Sequence, residues 1–166
     1  PQEAENGVKV MSINLLLEHD TDPVIWRGSL IAGTVKQFWT DVCWGDVDCL
    51  YVDMPPGTGD VPLTVFQSLP VDGIVIVLSP QELVGMIVEK AVKMAQMMNI
   101  PVLGLVENMA VHVCSNCGHA EHVFGEGGGE RMAERYGVPL LGSLPLDASI
   151  REQGDAGVPV VAARPD

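Results

Sequence analysis

Asp48-Cys-Leu-Tyr-Val-Asp-Met-Pro-Pro-Gly-Thr-Gly-Asp60 begins as a short apolar run and ends as a loop of rigid and permissive residues. The run Cys49–Val52 predicts a strand buried on both faces, with Asp53 delivered to its carboxyl end. A carboxylate there can hold magnesium through water. Pro55 and Pro56 fix φ and stiffen the exit, while Gly57 and Gly59 let backbone N–H groups approach a terminal phosphate with no Cβ in the way. Asp60 is placed to cap the following helix through its side-chain oxygen. The same residue types also make an ordinary strand-to-helix turn, and Asp-x-Pro-Pro-Gly alone does not separate the two readings.

Outward from this stretch, Val8–Ile13, Gly73–Ser79, Val102–Val106 and Leu140–Ser143 repeat the short Val/Ile/Leu-rich pattern of buried strands. Helical periodicity lies between them. In Glu82–Met98 the residues Leu83, Ile87, Ala91, Met94 and Met98 recur at spacings of three or four, with Asn99 and Pro101 as stop signals. Leu30, Ile31, Val35, Phe38, Trp39 and Val42 form a second stripe, and Gly127–Tyr136 supplies a shorter helix after a glycine run. Strands alternating with helices predict an α/β fold with a mainly parallel sheet and helices on both faces. Ligands then belong at the carboxyl ends of the strands. At 166 residues, 47% apolar, the chain is expected to form a single domain over residues 1–166.

The longer string Asp-x-Pro-Pro-Gly-Thr-Gly-Asp (Asp53–Asp60) resembles the combined Walker B and switch II element of the Mrp/ApbC branch of P-loop ATPases, a MinD-like group with a deviant Walker A loop that contains iron–sulfur cluster carriers. Ile25-Trp-Arg-Gly28, Val106-Glu-Asn-Met109, Phe124-Gly-Glu-Gly-Gly-Gly-Glu-Arg131 and Gly142-Ser-Leu-Pro-Leu-Asp147 follow in the family's order, so the resemblance runs from about Lys9 to about Pro159. It implies that Asp53 is the magnesium-side acid, that Gly57 contacts the γ-phosphate with Gly59 in the same loop, that Asn108 reads adenine and that Pro145 borders the nucleotide. An Asn amide offers both a donor and an acceptor to a base edge, and an Asn at a strand end is also a common turn former. Arg27 and Asp60 fall near the nucleotide or dimer face by the same analogy, or serve as an ordinary surface charge and a helix cap.

Cys114-Ser-Asn-Cys117 presents two thiols at a spacing that suits one soft metal centre. Two ligands are half of the usual four-thiolate complement of a 4Fe-4S cluster, so either a symmetric dimer supplies two from each subunit or the same chain adds more. The resemblance selects the dimer, because Mrp-type carriers bridge a labile cluster between paired Cys-Pro-x-Cys motifs. Ser115 stands where that proline usually sits, which removes a φ constraint and keeps both ligands. Zinc is the rival metal: Cys114, Cys117, His119 and His122 are a possible Cys2His2 set, with His112 nearby and an unusually tight Cys117-to-His119 spacing. A redox-active dithiol is the third reading, and the histidines otherwise solvate the loop. Cys43 and Cys49 are expected in the core.

No glycine precedes any of the four lysines, Lys9, Lys36, Lys90 and Lys93, so the chain has no Gly-Lys-Ser or Gly-Lys-Thr phosphate loop. The glycine run Gly127–Gly129 leads into Glu130 and Arg131 instead. In the family the loop lies before the point where this sequence starts, so the chain is expected to be N-terminally truncated and by itself inactive as an ATPase. A net charge of −13 excludes a phosphate backbone as main partner. Apolar runs fall far short of the roughly 20 residues of a membrane span, and the start carries no secretion pattern. The resulting expectation is a cytoplasmic homodimer that carries a 4Fe-4S cluster to apo iron–sulfur proteins, with ATP and Mg2+ acting in the intact protein. The alternative is a scaffold or positioning ATPase relative with a structural zinc at the cysteine pair.

Overall fold

The computed structural model describes residues 1–19, 21–23 and 28–163. They form two compact units, Pro1–Val71 and the residues from Asp72 onward. The expected Arg27 position lies outside the described residues.

In the first unit, strands β1 (Gln2–Glu3) and β2 (Lys9–Val10) pair antiparallel, Gln2 opposite Val10. Ala4 N–H donates to Val8 O at 2.9 Å across the turn. A 3-10 turn at Ile13–Leu16 follows, capped by Ser12, whose Oγ accepts from Asn14 N. Helix α1 (Gly28–Thr40) packs with helix α2 (Asp60–Ser68), which buries Pro62, Thr64, Val65 and Phe66. Pro62 is tolerated because it sits in the first turn, where an N–H has no intrahelical acceptor. Beyond α1, Trp44 Nε1–H donates to Phe38 O at 2.9 Å, and Lys9 Nζ donates to Trp44 O at 2.6 Å.

Four expectations change here. The predicted strand Val8–Ile13 contracts to Lys9–Val10, and Cys49–Val52 forms no strand. A strand persists only as part of a ladder, and no described segment pairs with residues 49–52, so their apolar side chains stay outside: Tyr51 is 89% exposed. For the same reason Cys49 is exposed rather than core, and Cys43, in the irregular stretch after α1, is exposed as well. Asp60 is not the cap: Gly59 occupies the N-cap position, and Asp60 is the first helical residue, where its charge favours the helix N-terminus.

The second unit carries the parallel sheet. Strands β3 (Ile74–Leu78), β4 (Val102–Glu107) and β7 (Leu140–Ser143) lie in the order β3-β4-β7, all parallel. Ile76 stands opposite Leu105 and Leu78 opposite Glu107 across one pair, and Leu105 opposite Leu140 across the other. Helix α3 (Glu82–Met97) joins β3 to β4. Between β4 and β7 come a small hairpin, β5 (His112–Val113) with β6 (Ala120–Glu121), and helix α4 (Gly128–Tyr136). Helices α5 (Ala148–Asp155) and α6 (Val160–Ala163) close the described chain.

Ile76, Leu78 and Leu105 from the sheet meet Val88 and Val92 of α3 and Met132 of α4 in one core. Each such side chain contributes about 1.5–3 kcal/mol by leaving water. The strands were expected to be buried on both faces, but Val75, Val77, Leu103 and Leu141, which alternation turns away from this core, are exposed. The stripe of α3 is displaced from the predicted one: Val88, Val92 and Ala95 are buried, whereas Leu83 and Ile87 face out. The helix is apolar on adjacent faces, and the smaller side chains permit the closer approach to the sheet. Met94 and Met98 are half-buried and Met97 is 84% exposed, so the methionines fill the core only in part. No helix among the described residues is long and apolar enough to cross a membrane.

Candidate functional site

Two groups of candidate residues are placed, one in each unit. In the first unit Asp53 is exposed in the irregular stretch before α2, Gly57 has φ +90°, and Gly59 is the N-cap of α2. Gly57 is therefore in a conformation that a side chain would strain.

In the second unit the carboxyl ends of the strands continue into a hydrogen-bonded strap. Asn108 N–H donates to Leu78 O at 2.6 Å and Leu144 N–H to Glu107 O at 2.7 Å, extending the β3-β4-β7 order past the strands. Ala110 N–H then donates to Leu144 O at 2.9 Å, and Leu146 N–H to Val111 O at 2.8 Å. Asn108 is half-buried and its Oδ1 accepts from Met109 N, with Met109 at φ +57°. That turn engages one end of the amide and leaves Nδ2 as the donor for another partner. Pro145, exposed, lies within the strap between Leu144 and Leu146. Asp147 ends it by capping α5, its Oδ1 accepting from Ser149 N at 2.8 Å.

Glu107, only 5% exposed at the last position of β4, is the functional-looking residue that sequence reasoning missed. One carboxylate oxygen accepts from Gly129 N–H at 2.7 Å and the other from Ser143 Oγ at 3.3 Å, so it ties β4 to both α4 and β7. One N–H of the glycine run is thus already taken by a carboxylate of its own chain. Gly127 caps α4 at φ +68°, and a Cβ on Gly128 would stand 2.6 Å from Pro80 O, so small residues let α4 begin against the end of β3. A glutamate closing an apolar strand ahead of a Gly-Gly-Gly run was the available signal.

The strap leads into the β5–β6 hairpin, which holds both cysteines at its tip. Cys114 N–H donates to His119 O at 2.9 Å, and Gly118 N–H, at φ +72°, donates to Cys114 O at 2.8 Å. The loop folds back so that the backbone N–H groups of Asn116 and Cys117 point at the Cys114 sulfur. With a side-chain hydrogen bond from Cys117 and the nearby His112 they hold the Cys114 thiol below the ordinary thiol range, against a small opposing effect of burial. Cys114 is half-buried and Cys117 exposed. Such a tip offers two soft ligands, one of them already favoured as thiolate.

The rival Cys2His2 set does not assemble: among the described residues no three His, Cys, Asp or Glu side chains converge on a metal-sized space. His122 Nδ1 is turned to Ala110 O at 2.9 Å, and His112 Nδ1 lies 3.2 Å from Leu146 O, so these rings face backbone carbonyls.

The model of the ParA group described as NUBPL iron-transfer P-loop NTPase matches residues 1–166. An iron-sulfur cluster carrier protein of Pseudomonas fragi is 55% identical over 97% of this chain and 56% of its own length. That of Methanocaldococcus jannaschii is 48% identical over 97% and 56%, and that of Escherichia coli K12 is 45% identical over 97% and 43%. The chain thus spans about half the length of these curated relatives. Among solved structures, a nucleotide-binding protein of Archaeoglobus fulgidus in complex with ADP, with cobalt found, superposes with TM-score 0.79 at 42% identity over 95% of this chain and 60% of that one. The α/β strand order, the glycine loops and these likenesses together place the chain in the family of NUBPL iron-transfer P-loop NTPases.

Proposed function

We propose that the chain is the cluster-bearing portion of an iron–sulfur carrier: Cys114 and Cys117 hold half of a 4Fe-4S cargo, a second copy in a homodimer supplies the other half, and the cluster passes to apo-proteins. The observation that carries this is the hairpin tip, where two backbone N–H groups favour the Cys114 thiolate beside the accessible Cys117, in a family described by iron transfer. Transfer is ligand exchange: each cysteine thiolate leaves iron as a recipient thiolate replaces it, with no net change of redox state.

ATP binding and hydrolysis belong in this reading to the intact protein. Asp53 is the magnesium-side acid, Gly57 and Gly59 are the phosphate-side loop, and Asn108 and Pro145 meet the nucleotide. In support, Gly57 adopts a positive φ and Asn108 stands at a strand carboxyl end. Phosphoryl transfer depends on positioning and charge neutralisation, for which a Walker A loop is required, and residues 1–166 contain none. We accordingly place residues 1–166 within one P-loop NTPase-like domain of a cytoplasmic protein and expect this stretch alone not to hydrolyse ATP.

The test is anaerobic reconstitution with iron and sulfide, reading iron and zinc per dimer and visible absorption for the wild type and for Cys114→Ala/Cys117→Ala. Broad visible absorption with about four irons per dimer, lost in the double variant, is the expected result. Tightly held zinc without cluster uptake would replace this reading with a structural zinc clip on a scaffold or positioning ATPase.

A further inference from the structure

The β5–β6 hairpin has only two residues in each strand, too few to hold a cysteine pair in a fixed place by their own ladder. Its position is set at its root, by the Leu146 N–H bond to Val111 O and by side chains. His122, the residue after β6, reaches back across twelve residues of chain so that its Nδ1 lies 2.9 Å from Ala110 O. A carbonyl only accepts, so Nδ1 carries the proton, and Glu126 Oε1 lies 3.8 Å from Nε2 on the other side of the ring. The same residue is also engaged through its amide: Ala110 N–H donates to Leu144 O. Ala110 is 9% exposed, and it lies two residues beyond Asn108, while Leu144 adjoins Pro145. One buried residue is therefore hydrogen-bonded on one side to the strand-end strap and on the other to the returning arm of the cysteine hairpin.

We propose that His122 is a positioning residue that couples the Cys114–Cys117 pair to the segment carrying Asn108 and Pro145, so that occupation of that segment by nucleotide changes how firmly the cysteines hold their cargo. This rests on the carrier reading above. A shift of the Asn108 turn or the Leu144–Leu146 strap moves the Ala110 peptide, and through Nδ1–H the hairpin arm follows. Without the imidazole, the hairpin loses this attachment to Ala110 and the cysteines no longer report through it on the strap. Ligand effects between linked sites are commonly about fivefold or more, and a single hydrogen bond of this kind carries about two- to tenfold.

The experiment uses the protein at its natural length, reconstituted with cluster, with the bleaching rate of the visible band under excess iron chelator measured with and without ADP. Wild type, His122→Ala and His122→Asn are compared; Asn places an N–H donor close to the Nδ1 position. The wild-type rate is expected to change about fivefold on ADP addition. His122→Ala should load the same iron and bind ADP as tightly, yet show no ADP-dependent change, and His122→Asn should restore it. Persistence of the ADP effect in His122→Ala overturns the proposal, as does a wild type that holds both cluster and ADP and shows no effect. Equal loss of iron in both variants, together with loss of hairpin amide protection, also overturns it, because His122 is then only a structural support. A wild type that takes up no cluster fails earlier and differently, by lacking the visible band, and removes the carrier reading itself.

Discussion

Replacing Glu107 by alanine tests whether the strand-end architecture depends on one buried carboxylate. In the structure that side chain accepts from Gly129 N–H at 2.7 Å and from Ser143 Oγ at 3.3 Å while 5% exposed. Glu107→Ala leaves the Gly129 N–H without its acceptor, at a cost of about 1–3 kcal/mol. Removing the side-chain methylenes adds about 1 kcal/mol, partly returned because a charge no longer has to be buried. The net expectation is about 3 kcal/mol. Glu107→Gln keeps an acceptor for Gly129, and its amide can donate to the Ser143 hydroxyl, so it should cost under about 1 kcal/mol. All three tryptophans, Trp26, Trp39 and Trp44, precede Asp72, so fluorescence would report on the wrong unit. Native-state hydrogen exchange at the Leu105 and Val106 amides of β4 is the suitable assay, and a 3 kcal/mol loss should lower protection roughly a hundredfold in the alanine variant. Unchanged protection in Glu107→Ala, or equal damage in Glu107→Gln, would refute the assignment of Glu107 as the acceptor that joins β4 to α4 and β7.

Gly128→Ala should lower the melting temperature by several degrees, because the new Cβ would stand 2.6 Å from Pro80 O and 2.7 Å from Pro80 Cα, and overpacking against backbone costs about 1–3 kcal/mol. Gly154→Ala in α5, where no atom lies within 4 Å of a built Cβ, is the control and should be neutral or slightly stabilising by calorimetry. For Cys114 the thiol is lowered in the fold, first by the Asn116 N–H and then by Cys117. The folded protein therefore holds more thiolate than the unfolded chain between the two values, and the associated stability is present above the unfolded thiol's value and lost as pH falls through the folded one. Iodoacetamide labelling of the metal-free protein, followed at the Cys114 peptide by mass spectrometry, should reach half its maximal rate at lower pH in buffer than in urea; an equal or higher midpoint in buffer would contradict the hairpin geometry.

How far the fold was legible in the sequence follows from where each element finds its partner. Leu140–Ser143 was expected as a strand and is one, and the helix expected over Glu82–Met98 spans Glu82–Met97. Both belong to the unit in which β3, β4 and β7 pair with one another, so periodicity and ladder agree. Cys49–Val52 has the same apolar character and no described partner, and it forms no strand. An apolar run states what a segment can do in a sheet; pairing decides whether it does. The phase of α3 was misread on similar grounds, since Leu83-Ile87 and Val88-Val92 both satisfy a helical repeat and only contact with Ile76, Leu78 and Leu105 selects the second.

The candidate site divides along the same line. Cys114 and Cys117 were visible because the cysteine pair is local, four residues end to end, whereas the N–H groups that favour the thiolate follow from how the tip folds back. The contacts of Glu107 and His122 were not visible because their partners, Gly129 and Ala110, stand 22 and 12 residues away. Their geometry gives the family motifs separate physical roles. The Glu of Val106-Glu-Asn-Met109 fixes the start of α4, so that the adjoining Asn is presented from a strand end locked on both sides, and the glycines of Phe124–Arg131 serve close packing at Pro80 and Glu107. A glycine run after a strand therefore supports a phosphate site only when its N–H groups remain unclaimed. Here Gly129 N–H is claimed by Glu107, which gives the run a role in architecture: it starts α4 against β4 and Pro80.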